Sequence, residues 1–467
     1  MMKSILFYLC MFVALQVGFS QNTATVSGTI SNPKGDMVYL KYYTDYISYN
    51  EVIVDSTELD KKGNFYMTFK WDHPSPLTFY HGDEVTEMYM SPGDNLKLTL
   101  DTKEFDETVK YEGKGAYLNN YLAQKVLLFP GLGGTEYKMN EKEFTRLIDS
   151  IHMKELAYFK DYFAKQDSRE PSVSSFIENE EMNINYTWAV NKTSYPSYHK
   201  YLNQIKGSFE VSPAYYDFLK EIPTMNTKAI HSMMYLEFLS GYVEQEISKL
   251  QQKDTSASAM EIKDQYIEKN LSGEIKEYIL AEWAFNTLTD ENDIATGKEI
   301  LDKLIMQNPE SQYVALIKNT MAIAEMLQPG NPAPDFTYSD LEGKMVSLHD
   351  FRGKVVYLDI WASWCGPCRG EIPFAKKLEE EMKGKDVVFL SVSVDVDEDA
   401  WKKIIKDKSM GGIHLISKGN FDSQIAKLYN VKGIPMYLII GKDGNIVSNN
   451  AARPSGNVKA ELEKLLN

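Results

Sequence analysis

Val355-Val356-Tyr357-Leu358-Asp359-Ile360, then Trp361-Ala362-Ser363, then Trp364-Cys365-Gly366-Pro367-Cys368: this stretch decides the fold. Five of its first six residues are apolar and two are β-branched valines, the pattern of a strand buried on both faces. The cysteine pair follows that strand directly and opens a helix. Cys365 then sits where unpaired backbone N–H groups and the helix dipole stabilise a thiolate, with Cys368 one turn inside. A lowered pKa raises the reactive fraction of Cys365 near neutral pH. Cys365 attacks a disulfide, and Cys368, three residues on, resolves the mixed disulfide.

Two other uses of such a pair are weak. A structural staple over so short a loop constrains the unfolded chain little. A metal site needs about four ligands, and His349 and His414, the two histidines of this region, lack ligand spacing to the pair. The expectation is therefore no metal and no dissociable cofactor, the disulfide itself carrying the electrons.

Downstream the alternation of strands and helices continues. A helix is expected over Glu371–Met382, a buried strand over Val387–Val394, and helices from Asp399 to about Lys406 and near Ser423–Tyr429. Met436–Ile440 and Ile446–Ser448 read as a hairpin across Lys442-Asp443-Gly444-Asn445, and Val458–Leu466 as a closing helix. This is an α/β pattern on a central sheet. Upstream, Gln328-Pro329-Gly330-Asn331-Pro332-Ala333-Pro334 breaks regular structure, because each proline disfavours helix in the residue before it.

Before that break the apolar period is 3.6 over residues 115–327: Phe144, Leu147, Ile148, Ile151, Leu156, Phe159 and Phe163 share a stripe, and Pro171, Pro196, Pro213 and Pro223 punctuate the segments. An all-helical domain is expected there, its many tyrosines used chiefly for packing. Residues 22–110 instead read as short alternating strands, such as Thr25–Ile30 and Leu96–Leu100, separated by turns at Lys62-Gly63-Asn64 and Ser91-Pro92-Gly93-Asp94. A small β-sandwich follows.

The first 20 residues read as an address. Lys3 begins a positive region, Ile5–Val17 is apolar, and Gly18-Phe19-Ser20 places small residues for a cut before Gln21. An uncleaved anchor is the competing reading, disfavoured by the short apolar run. The cut would leave Cys365 and Cys368 as the sole cysteines of three, in an oxidising compartment. The whole sequence of 467 residues carries 50 Lys plus Arg against 66 Asp plus Glu, a net charge of −16, with no long basic run; nucleic acid is excluded as a partner.

Residues 331–467 resemble the TlpA/ResA-type thioredoxin-fold thiol–disulfide oxidoreductases of the bacterial envelope, within the alkyl hydroperoxide reductase/thiol-specific antioxidant superfamily. The resemblance rests on Gly353-Lys354-Val355-Val356, Trp361-Ala362-Ser363-Trp364-Cys365-Gly366-Pro367-Cys368, Glu371-Ile372-Pro373 and Gly433-Ile434-Pro435. The β-region is similar to a domain of unknown function found ahead of such proteins. By resemblance, Pro435 is the cis-proline whose loop, with Ile434, receives a substrate backbone. Asp359 resembles the buried acid of cytoplasmic thioredoxins, which implies that, its pKa raised by burial, it exchanges a proton with Cys368. Glu371 matches the acid that ResA-type proteins place near their cysteines; a solvated first-turn carboxylate is the other reading of it. Which acid is the principal proton carrier stays open. Trp364 shields the disulfide and contacts partners. The Pro-x-x-x-Thr-x-x-Cys loop of peroxiredoxins is absent.

The fold class expected is thus multidomain: signal peptide 1–20, β-sandwich 22–110, helical domain 115–327, and α/β thioredoxin-like domain 331–467. The function expected is an exported, periplasmic thiol–disulfide oxidoreductase that reduces disulfide-containing envelope proteins and draws electrons from a membrane thiol donor. The same pair could run as an oxidase or isomerase. A second reading has the β and helical domains docking a partner, with the redox domain subordinate.

Overall fold

The computed structural model of this chain describes residues 23–164 and 171–466. The signal-peptide reading of residues 1–20, with its cut near Ser20, lies outside the described residues. The chain divides into two compact units, the first ending at Asp264 and the second beginning at Gln265. The helices of the middle region are shared between these units.

The first unit begins with eight strands: β1 (Thr23–Ser31), β2 (Met37–Tyr43), β3 (Glu51–Glu58), β4 (Asn64–Lys70), β5 (Ser75–His81), β6 (Glu84–Met90), β7 (Asn95–Asp101) and β8 (Lys110–Lys114). They form two four-stranded sheets, ordered β4-β1-β7-β8 and β3-β2-β5-β6. Alternate residues point inward, so Val26, Met67 and Leu98 of the first sheet share one core with Leu40, Phe79 and Met88 of the second. β1 runs parallel to β7 with Gly28 opposite Leu98. A Cβ on Gly28 would lie 1.9 Å from the Leu98 carbonyl oxygen. No side-chain rotation relieves a clash with backbone, so Gly28→Ala is expected to destabilise this sandwich by about 2–3 kcal/mol. A urea titration followed by circular dichroism would read this as a lowered midpoint.

Long helices follow the sandwich, among them Ala116–Leu128, Glu141–Phe163, Pro171–Leu202 and Met233–Lys253. Asn119 on the first of these takes both backbone groups of Tyr89 on β6, accepting its N–H and donating to its C=O at 2.9 Å each. Pro196 does not end a segment as expected. It lies inside the helix Pro171–Leu202. A proline lacks the N–H that would serve the carbonyl four residues back, at Lys192. The Tyr215 hydroxyl donates to that carbonyl instead, at 2.9 Å, so the helix continues. Tyr195 and Tyr215 are buried in this region, whereas Tyr198 and Tyr201 are exposed.

The second unit contains the helices Gly273–Thr289, Ile294–Gln307 and Gln312–Met326, then a seven-stranded sheet. Its strands are β9 (Thr337–Ser339), β10 (Met345–Ser347), β11 (Val355–Trp361), β12 (Val387–Ser393), β13 (Ile413–Ile416), β14 (Met436–Ile440) and β15 (Ile446–Ser448). Their order is β10-β9-β13-β12-β11-β14-β15. β11, β12 and β13 are parallel, and β14 runs antiparallel to β11. β11 is central and buried on both faces. Leu358 and Ile360 enter one core, together with both cysteines. Val355 and Tyr357 enter the other, against the helices Gly366–Glu381 and Val458–Leu466.

The last of the three helices is tied to this sheet. Leu327, just beyond it, is buried in the same core as Phe336 and Tyr338. Asn449 donates to the Leu327 carbonyl at 3.0 Å, Asn292 to Asn449 at 3.3 Å, and Gln328 to Asn292 at 3.0 Å. The proline-rich link also joins the sheet edge: Gly330 N–H donates to Ile446 O at 2.7 Å and Ala333 N–H to Gly444 O at 3.0 Å.

Candidate active site

The parallel strands deliver their C-terminal ends to one rim, the usual place for chemistry in an α/β sheet. At that rim β11 passes through Ala362-Ser363-Trp364 into the helix Gly366–Glu381, with Cys365 as its N-cap. Pro367 falls in the first turn, where a missing N–H costs nothing, and Pro373 lies inside the helix, which continues to Glu381.

Cys365 and Cys368 form a disulfide with their Cα atoms 5.3 Å apart. The Cys368 N–H donates to Cys365 Sγ at 3.1 Å, so one of the orphan donors of the helix start is aimed at this sulfur. In this oxidised state both cysteines are buried, at 5% and 4% exposure. Trp364 between strand and pair is 52% exposed, and its ring meets that of Phe421 edge-on at 6.2 Å. Cys365 Sγ lies 3.7 Å from the Ile434 carbonyl oxygen, and the Ile434–Pro435 peptide bond is cis. The structure therefore brings Trp364, Cys365, Cys368, Ile434 and Pro435 to one place.

Asp359 projects from the Tyr357 face of β11, opposite Tyr437 of β14. Its Oδ1 is out of reach of solvent and has no hydrogen-bond partner among the described residues. Burial, and secondarily the charge of Glu371, pushes its pKa up to about 8. Glu371 is engaged elsewhere: Ser455 donates to it from both its backbone N–H and its hydroxyl, at 2.9 Å each. It is thus neither a freely solvated carboxylate nor an unencumbered one. It pins the segment before the last helix, whose Ala452 carbonyl also receives the Tyr357 hydroxyl at 2.7 Å.

Sequence reading missed a third acid. Asp395 lies two residues past the end of β12 and is 1% exposed. Its Oδ1 accepts from Ser363 Oγ at 2.7 Å, and its Oδ2 accepts from Ser363 N–H at 2.9 Å and from Ser393 Oγ at 2.5 Å. The available signal was its position, an acid at the C-terminal end of a strand next to the one that carries the cysteines. Phe421 carried no comparable signal, since it reaches Trp364 from a short turn after β13. Among the described residues no group of three or more His, Cys, Asp or Glu is placed to hold a metal ion. His414 is buried, with Nε2 2.7 Å from the Gly411 carbonyl oxygen.

Residues 328–466 match the family model described as Redoxin, and residues 24–121 match that of a domain of unknown function, DUF4369. The chain is 36% identical over 123 residues to thiol-disulfide oxidoreductase ResA of Bacillus thuringiensis subsp. konkukian, covering 26% of this chain and 69% of that protein. It is also 36% identical over 132 residues to ResA of a Bacillus cereus strain, covering 28% and 75%. Among solved structures, the thioredoxin domain of a thiol-disulfide oxidoreductase from Bacteroides vulgatus is 32% identical over 30% of this chain and 99% of that one, with a TM-score of 0.28.

Proposed function

The chain belongs to the ResA family of thiol–disulfide oxidoreductases, and from that premise we propose that it works outside the cytoplasm as a reductase of protein disulfides, with Cys365 as nucleophile and Cys368 as resolving thiol. The observation that carries this reading is the placing of Cys365 Sγ at a helix N-terminus, 3.1 Å from the Cys368 N–H, with its disulfide partner one turn inside. Export is supported by the sequence of residues 1–20, and reduction by the Gly366-Pro367 dipeptide shared with reducing thioredoxins.

In the reduced protein the Cys365 thiolate attacks one sulfur of a substrate disulfide. A new S–S bond forms, and the other substrate sulfur leaves as a thiolate that takes up a proton. Cys368, its proton passed to Asp359, attacks Cys365 Sγ. The Cys365–Cys368 disulfide forms and the second substrate sulfur departs, protonated in its turn. The substrate gains two electrons from the pair and two protons, one released when Cys365 ionised and one taken from Cys368 through Asp359. Glu371 acts by raising the Asp359 pKa and holding the Ser455 segment. Trp364, Ile434 and Pro435 form the surface on which the substrate segment lies. A thiol donor at the membrane returns the pair to its reduced form. No dissociable cofactor enters the cycle.

The test uses Cys368→Ser. With the resolving thiol gone, the Cys365 mixed disulfide has no exit, so covalent adducts should accumulate on non-reducing gels of envelope extracts and disappear with dithiothreitol. Absence of adducts would sink the reductase reading. Equilibration of the wild-type pair with glutathione reads the direction: a potential near or below about −250 mV fits a reductase, and one between about −120 and −180 mV reassigns the protein to oxidation or isomerisation.

A further inference from the structure

β11 and β12 end side by side, with Trp361 paired to Ser393 and the Val394 N–H donating to Trp361 O at 2.9 Å. Beyond these ends the two chains separate. One turns into Ser363-Trp364-Cys365, and the other reaches Asp395. The Asp395 carboxylate spans the gap. It accepts the backbone N–H of Ser363 at 2.9 Å, the Ser363 hydroxyl at 2.7 Å and the Ser393 hydroxyl at 2.5 Å, and its own N–H returns to Ser393 Oγ at 3.0 Å. Among the described residues no Lys, Arg or His forms an ion pair with it, so three donors take the place of a counter-charge in a site closed to solvent.

We propose that Asp395 is a positioning residue for the redox pair: through Ser363 it holds the turn that presents Cys365 Sγ to the N-terminus of the helix. This inference rests on the redox reading of Cys365 and Cys368. In the oxidised protein the turn is also tied by the disulfide. Reduction removes that tie. What then holds Ser363-Trp364-Cys365 is the Asp395 clamp on the strand side, with the Cys365 N–H to Ala362 O at 3.2 Å, the Arg369 N–H to Cys365 O at 3.1 Å and the Trp364–Phe421 ring contact beside it. The clamp therefore acts mainly on the reduced form, keeping Cys365 where a helix-start N–H stabilises its thiolate.

A carboxylate could instead act by its charge, and the two roles have opposite signs. A nearby negative charge disfavours a thiolate, so removing it lowers the Cys365 pKa. Removing a clamp releases the thiolate from its N–H donor and raises that pKa. Asparagine separates them. Its Oδ1 can accept from Ser363 N–H and Ser393 Oγ while its amide donates to Ser363 Oγ, which keeps the clamp without the charge.

The experiment measures iodoacetamide modification of Cys365 against pH in the reduced full chain, with the site of modification read by mass spectrometry. Asp395→Ala should move the midpoint upward by about one unit and slow modification at pH 7 about tenfold. Asp395→Asn should keep the rate within about twofold of the wild type. Ser363→Ala, which loses the hydroxyl bond and keeps the backbone bond, should fall between them; it also carries the test should Asp395→Ala fail to fold. An unchanged profile in both Asp395→Ala and Ser363→Ala overturns the proposal, as does a downward shift in Asp395→Asn of more than about half a unit. Modification needs no disulfide substrate, so a wild-type protein that reduces no protein disulfide would remove the functional reading while this profile still decides the role of Asp395.

Discussion

Cys365→Ser lowers the rate of disulfide exchange by at least about a thousandfold, as expected for loss of a covalent nucleophile. The remaining thiol cannot substitute. Cys368 lies one turn inside the helix, and its sulfur lacks the N-cap position at which a helix-start N–H is aimed at Cys365 Sγ. The fold should survive the change. A disulfide between residues three apart closes a very short loop and contributes about 2 kcal/mol at most. Turbidity from reduced insulin, with dithiothreitol as electron source, reads the activity, and circular dichroism reads the fold. Retention of more than a tenth of the wild-type rate would mean that the chemistry resides elsewhere.

Asp359→Asn carries the second large effect, and it has a thermodynamic and a kinetic part. In the folded protein the Asp359 pKa is pushed up to about 8, whereas the unfolded chain has an ordinary carboxyl. The unfolded state therefore releases this proton first as pH rises. Folded-state stability from this group is complete below the ordinary carboxylate range and is lost progressively until pH passes about 8. Asparagine does not titrate. The variant should match the wild type near pH 4 and exceed it by about 3–5 kcal/mol at pH 8.5. Urea titrations at the two pH values test this, and equal differences at both would remove the burial argument.

The kinetic part runs the other way. In the proposed cycle Asp359 takes the Cys368 proton during resolution, and the fraction of Asp359 able to accept it rises with pH up to about 8. Resolution in the wild type should climb over that range and level off. In Asp359→Asn it should be about a hundredfold slower at pH 7, with its rise displaced to the titration of Cys368 itself. A variant that is more stable and slower than the wild type identifies a group whose burial serves chemistry rather than folding.

The redox centre was legible because its chemistry is local. Five apolar residues around one acid, then two cysteines at a helix start, specify strand, turn and nucleophile within 14 residues. Alternation revealed the β-sandwich for the same reason, each strand recording its own inner face. What escaped was fixed by residues distant in sequence. Glu371 is held by Ser455, 84 positions on, and Asp395 meets Ser363, 32 positions back. Pro196 was read as a stop because the partner for the Lys192 carbonyl comes from Tyr215, outside the helix. β9, β10 and β13 span three or four residues each, too short for a period to register.

The tie between Leu327 and the sheet has a practical consequence for anyone wishing to excise the redox cassette. A cut in the proline-rich link looks natural in the sequence, yet it would strip away Leu327, which is buried in the same core as Phe336 and Tyr338, and would leave Asn449 without its carbonyl partner. It would also remove Phe285, over which the Lys432 ammonium sits at 5.3 Å, a short distance ahead of Ile434 and Pro435. The last helices of the middle region thus serve as a buttress for the catalytic module, and a minimal soluble fragment is best begun ahead of Gly273 rather than at the link.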